Sequence, residues 1–134
     1  MPTYDELKIG DKANFSKTIS ESDIYQFAGI TGDFNPLHID DEYAKKTVFK
    51  ERIAHGILTA GFISSVLAMK LPGPDTIYLS QNLQFKAPVK IGDTVNAEVE
   101  VLEKRDAKNI IRLRTLVKNQ HDEIVIDGEA TVMK

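Results

Sequence analysis

The chain contains no cysteine, which excludes a disulfide framework, a thiolate metal site and a thiol nucleophile and is compatible with a reducing compartment. It also lacks a membrane-length apolar run. The longest stretch without a charge, Ile53 to Met69, includes His55, Thr59, Ser64, Ser65 and two glycines and falls short of the roughly 20 apolar residues of a span. It is expected to form a buried helix, and no membrane partner is expected. The first residues, Met1-Pro2-Thr3-Tyr4-Asp5-Glu6, have no basic-then-apolar signature, so export is not indicated and a cytoplasmic location is expected. No basic stripe is present: 17 lysines and arginines are scattered among 20 acidic residues, for a formal charge of -3. Nucleic acid is therefore not an expected partner. There is no Gly-rich phosphate loop, dinucleotide fingerprint or metal-ligand cluster, so chemistry without a cofactor or metal is expected. No internal repeat or Pro/Gly/Ser-rich linker divides the chain, and residues 1–134 read as a single domain. A content of 42% hydrophobic and 28% charged residues suits one packed core.

The elements can be placed from local signals. Lys12 to Ile19 reads as a short first strand. Ser20 with Asp23 three positions later resembles a capping box, predicting a helix through about Gly29 with Ile24, Phe27, Ala28 and Ile30 on its apolar face. Gly32-Asp33-Phe34-Asn35-Pro36 then reads as a loop. Asp40 can cap a short helix, Asp41 to Lys46, and Thr47 to Arg52 has no period. A central apolar helix is predicted from Ala54 to Lys70, stopped by Leu71-Pro72-Gly73-Pro74 because proline cannot continue a helix. Four β-type runs follow: Thr76 to Phe85, Thr94 to Glu103, Asn109 to Lys118 and Glu123 to Met133. The second alternates, with Val95, Ala97, Val99 and Val101 on one face. Lys104 to Lys108 and Asn119 to Asp122 read as hairpin joins. This order is α+β, a five-stranded antiparallel sheet around one helix. Its exposed edges make self-pairing into a homodimer an expectation.

The segment that can carry chemistry is Ile30-Thr31-Gly32-Asp33-Phe34-Asn35-Pro36-Leu37-His38, where an acid and an imidazole flank an Asn-Pro turn. A carboxylate accepts a proton from water, and an imidazole titrates near neutrality, so the pair offers what adding or removing water requires. The residues alone also allow a plainer reading. Asp before a turn commonly closes it, and a lone histidine is commonly a satisfied or surface group.

This loop resembles the motif of the (R)-specific enoyl-CoA hydratases, also called hydratase 2 or MaoC-like dehydratases. Ile53-Ala54-His55-Gly56-Ile57-Leu58 is similar to that family's His-Gly helix start. The stretch Ile77 to Val89, with Phe85-Lys86-Ala87-Pro88, and Ile91-Gly92-Asp93-Thr94-Val95 are similar to the strand and continuation that follow. The resemblance covers nearly the whole chain and implies a hot-dog fold. It implies that Asp33 and His38 activate the water that attacks C3 of an enoyl thioester. It also implies that the Gly56 N–H, at a helix start, binds the thioester oxygen, that Ser64 assists on the same helix, and that Asn35 holds the loop or assists the pair. A helix N-terminus suits such a role because its free N–H groups and positive dipole end meet developing negative charge. For Asn35 the alternative is a turn residue, and for Ser64 a hydroxyl bonded back to a carbonyl one turn earlier. His55 reads as structural and His121 as a solvated turn residue. Ile57, Leu58 and Ile63 are candidates to line an acyl slot.

The function this implies is reversible hydration of trans-2-enoyl-CoA to (R)-3-hydroxyacyl-CoA, with no cofactor and with acyl-CoA as the partner molecule. Alternatives are a dehydratase acting on acyl-carrier-protein or branched acyl thioesters, a hot-dog thioesterase, or a non-catalytic acyl-CoA-binding protein. Polyester synthesis, fatty-acid oxidation and fermentative routes are all open for the product.

Overall fold

A computed structural model describes residues 2–134. Strand β1 (Lys12–Thr18) leads into helix α1 (Glu21–Thr31), whose start is the expected reciprocal cap. Asp23 N–H donates to Ser20 Oγ at 3.1 Å, and Ser20 N–H donates to Asp23 Oδ2 at 2.9 Å, satisfying donors that a helix start leaves free. The helix runs two residues past the expected Gly29. The terminator is Gly32, left-handed at φ 81°, whose N–H bonds the Ala28 carbonyl, a conformation glycine adopts without a Cβ penalty. Ile24 and Ala28 are buried, but Ile30 is 84% exposed, contrary to expectation. Two residues beyond Ala28 it has turned about 200° away from the buried line.

Two single-turn helices follow, α2 (Pro36–Ile39) and α3 (Asp41–Ala44), the latter capped by Asp40 through the Tyr43 N–H. Helix α3 stops two residues short of the predicted Lys46. The central helix α4 (Gly56–Met69) starts two residues later than predicted. Ala54 N–H is bonded to the Val89 carbonyl at 2.7 Å and Ile53 bridges Lys90, so this segment is extended and tied to the approach of a strand. Only one side of α4 is buried, through Thr59, Ile63, Val66 and Leu67, whereas Ile57, Gly61, Ser64 and Ala68 are exposed. The expectation of a buried helix therefore holds for one of its faces.

Strands β2 (Ile77–Phe85), β3 (Thr94–Arg105), β4 (Ile110–Lys118) and β5 (Ile124–Met133) complete an antiparallel sheet in the order β1-β3-β4-β5-β2. Val95, Ala97, Val99 and Val101 are fully buried on one face of β3, as their alternation demands. With Leu113, Val117, Ala130 and Val132 they meet Ile63, Val66 and Leu67 of α4 in one core. The sheet wraps the helix in the hot-dog arrangement. Between β5 and β2 the backbones approach so closely at Gly128 that a Cβ there would lie 2.0 Å from the Asn82 carbonyl oxygen. The edges are β1 and β2. Among the described residues no helix is long and apolar enough to cross a membrane.

Candidate active site

The Asp33 loop is built from local side-chain hydrogen bonds. Asp33 N–H donates to Thr31 Oγ1, Asn35 N–H donates to Asp33 Oδ1, and Leu37 N–H donates to Asn35 Oδ1, at 3.2, 3.2 and 3.1 Å. Asn35 is thus the N-cap of α2, the loop-holding role. Pro36 belongs to that helix rather than to the loop, because the first helical position needs no N–H and favours proline's fixed φ. The helical turn carries His38 inward, where it is 8% exposed, while Asp33 stays exposed.

His38 Nδ1 lies 2.7 Å from the Ile53 carbonyl oxygen, and a carbonyl can only accept, so Nδ1 carries the proton and Nε2 keeps its lone pair. Burial pushes the His38 pKa below its ordinary value, opposed by the Ile53 carbonyl, reinforced by the adjacent His55 and opposed again by Asp33. A neutral imidazole with a free Nε2 is the form that accepts a proton from water.

His55, read as structural from sequence, joins the site. Its ring is 3% exposed and stacks on His38 with centroids 3.8 Å apart and planes 29° apart. Phe27 packs on it with centroids at 4.8 Å. His55 Nε2–H donates to the Asp33 carbonyl oxygen at 2.9 Å. Ligand-type atoms of Asp33, His38 and His55 lie within 4.8 Å of one another. They are also the residues that could approach a metal. His38 Nδ1 and His55 Nε2 are already bonded to carbonyls, however, which leaves each ring one free nitrogen. The signal for His55 in the sequence was its place beside Gly56, but nothing local shows a ring stacking on His38, far away in the chain.

Gly56 opens α4. The N–H groups of Gly56, Ile57 and Leu58 precede Thr59, the first to bond back to His55, and His55 supplies no side-chain cap, so these donors are free for a ligand. Gly56 and Ile57 border an open cavity of about 500 Å³ lined mainly by apolar groups, among them Phe49, Ile53, Phe85, Pro88 and Val89. A Cβ on Gly56 would stand 2.7 Å from the Phe85 ring. Of the expected slot residues only Ile57 lines this cavity, since Ile63 is in the core and Leu58 packs against it. Ser64 lies two turns along α4, exposed and away from the cavity lining. His121 is exposed in its turn, as expected.

Arg52, which gave no signal in its aperiodic segment, ties this region together from behind. It donates to Asp41 Oδ1, Tyr25 Oη and Glu21 Oε2 at 2.5, 2.9 and 2.5 Å, joining α1 to α3 beside the Ile53 carbonyl that holds His38.

The wrapped sheet and its central helix define a hot-dog protein, and comparison with known proteins agrees on that fold. The family model described as "MaoC like domain" matches residues 6–123, and the chain belongs to that family. It is 54% identical over 130 residues to the (R)-specific enoyl-CoA hydratase of Rhodospirillum rubrum, covering 97% of this chain and 90% of the relative. A mitochondrial 3-hydroxyacyl-[acyl-carrier-protein] dehydratase of Arabidopsis thaliana is 38% identical, over 95% of this chain and 77% of its own length. The unliganded R-hydratase PhaJ1 of Pseudomonas aeruginosa superposes with a TM-score of 0.93 at 52% identity, covering 97% of this chain and 83% of that one.

Proposed function

We propose that this protein is a lyase that reversibly hydrates trans-2-enoyl-CoA to (R)-3-hydroxyacyl-CoA, with Asp33 and His38 as its acid/base pair. The observation that carries the reading is the state of His38: Nδ1 is fixed by Ile53, which leaves Nε2 free, and ligand-type atoms of His38 and Asp33 lie within 4.8 Å of each other. One water making two hydrogen bonds of ~2.8 Å spans up to ~5 Å, so the pair can hold a single water. As its oxygen bonds to C3, the π electrons move through C2 to the thioester oxygen and the pair takes up the water's proton. The enolate oxygen is met by the Gly56 N–H, where a helix start stabilises negative charge. Return of the proton to C2 completes the addition without a cofactor. The cavity beyond Gly56 accepts the acyl chain, and residues 1–134 act as a single domain.

Purified protein is expected to lower the conjugated enoyl absorbance of crotonyl-, hexenoyl- or octenoyl-CoA to an equilibrium level. Unchanged absorbance with all three, or release of free thiol, overturns the reading. The similarity to a carrier-protein dehydratase supports a second substrate form, and the same enoyl group presented on CoA and on carrier protein separates the two.

A homodimer accompanies this function. Strand β2 is an edge exposing Ile77, Tyr78, Leu79 and Phe85 between 41% and 53%, a surface suited to pairing with a second copy. Sedimentation is expected to give twice the chain mass, and Leu79→Lys is expected to shift it toward monomer. A monomeric wild-type chain contradicts the assignment.

A further inference from the structure

We propose that His55 is a positioning residue for the Asp33/His38 pair, an inference that rests on the hydratase reading above and deepens it. Three observations meet at this ring. Its Nε2–H holds the Asp33 main chain, 2.9 Å from that carbonyl. Its face holds His38, 3.8 Å between centroids. Its Nδ1 is buried with no hydrogen-bond partner.

The orphaned nitrogen is informative because a buried acceptor without a partner is unfavourable, and a phenyl ring would fill the same place without leaving one. His55 also occupies the N-cap of α4 yet makes no capping hydrogen bond, although Ser, Thr, Asp or Asn would do so. An imidazole here gives up both advantages, and what it alone supplies is a flat ring for His38 together with an N–H for Asp33. The two candidate catalytic groups come from a loop and a one-turn helix, neither of which is rigid by itself. His55 is the group that touches both, and it is anchored at the start of the central helix. Its Nε2–H is committed to the Asp33 carbonyl and its Nδ1 is buried away from solvent, so His55 holds the pair in place and is not itself the group that takes the water's proton.

His55→Phe keeps a stacking ring and removes the N–H. His55→Gln keeps an N–H near the Nε2 position and removes the ring. With crotonyl-CoA, His55→Phe is expected to lower kcat about 100-fold, the scale of a roughly 1 Å misplacement, with KM within about threefold of wild type. His55→Gln is expected to recover at least about tenfold of that loss. A melting midpoint close to wild type in either variant shows that folding is not the cause. Should His55→Phe fail to fold, His55→Gln carries the test, with kcat above about a tenth of wild type expected. A folded His55→Phe as active as wild type, or a folded His55→Gln no better than about 1% of wild type, overturns the proposal while leaving the hydratase reading intact. A wild-type protein inert toward every enoyl thioester overturns both.

Discussion

Replacing Asp33 by Asn removes a charge and almost nothing else. The Asn35 N–H that donates to Asp33 Oδ1 at 3.2 Å finds the same oxygen in an amide, so the loop and the cap of α2 persist. The residue is exposed and makes no ion pair among the described residues, so the change in stability is expected within about 0.5 kcal/mol. What is lost lies at the other carboxylate position, where an amide –NH₂ donates instead of accepting. A water held between the pair donates one hydrogen bond to His38 Nε2 and one to the carboxylate, losing a single proton as it adds, and the amide turns the second contact repulsive. General acid–base groups contribute about 10²- to 10⁴-fold, which corresponds to ~3–5 kcal/mol on the barrier. The assay is the initial rate of enoyl absorbance loss with crotonyl-CoA, measured beside a thermal melt of the same sample. A variant that melts with wild type and loses at least ~100-fold in kcat agrees with the account. One that keeps kcat within about threefold refutes the role given to Asp33.

Other consequences follow from the same geometry. The His38 pKa lies below its ordinary value of 6.5, so the unfolded chain takes up this proton first. The contribution to stability is complete above about pH 6.5 and is lost as pH falls from there through the folded-state value. The melting midpoint is expected to drop in that window, and by less in His38→Gln; equal drops in both proteins contradict the assignment. Activity is expected to be level above pH 6.5 and to fall on the acid side as Nε2 is protonated. Arg52→Met leaves Glu21 and Asp41 without their guanidinium, whose side chain is only 12% exposed. Because both carboxylates reach solvent, a loss of ~1–3 kcal/mol in denaturant titration is expected, with a fall in kcat as α1 and α3 loosen behind His38. Gly128→Ala sets a methyl group against the Asn82 carbonyl, and overpacking against backbone is expected to cost at least ~1–3 kcal/mol. Chemical denaturation of this variant at the wild-type midpoint would show that β2 can shift freely.

Much of the fold was legible because its signals are local. The alternation of β3 follows from one buried face, the start of α1 from a side chain reaching three residues on, and the end of α4 from a proline that cannot donate. The errors have identifiable causes, some local and some not. Pro36 breaks a helix it follows but opens one it begins, and only the cap from Asn35 distinguishes the two. Ile30 satisfies a loose helical spacing yet sits about 200° from Ala28. Ala54 looks helical by composition, and the hydrogen bond that keeps it extended comes from Val89, distant in sequence. Of the proposed site, Asp33, His38 and Gly56 are the residues that the family motif points to. His55 and Arg52 carry no such signal, since one stacks on His38 and the other joins two helices, and both contacts exist only after folding.

Stereospecific hydration by this protein is tested most simply on the product formed from crotonyl-CoA in ¹⁸O-labelled water, resolved on a chiral phase and weighed by mass spectrometry. The expected product is (R)-3-hydroxybutyryl-CoA with the thioester intact and one labelled oxygen at C3. The (S) isomer, free CoA with label in a released carboxylate, or recovered substrate contradicts it.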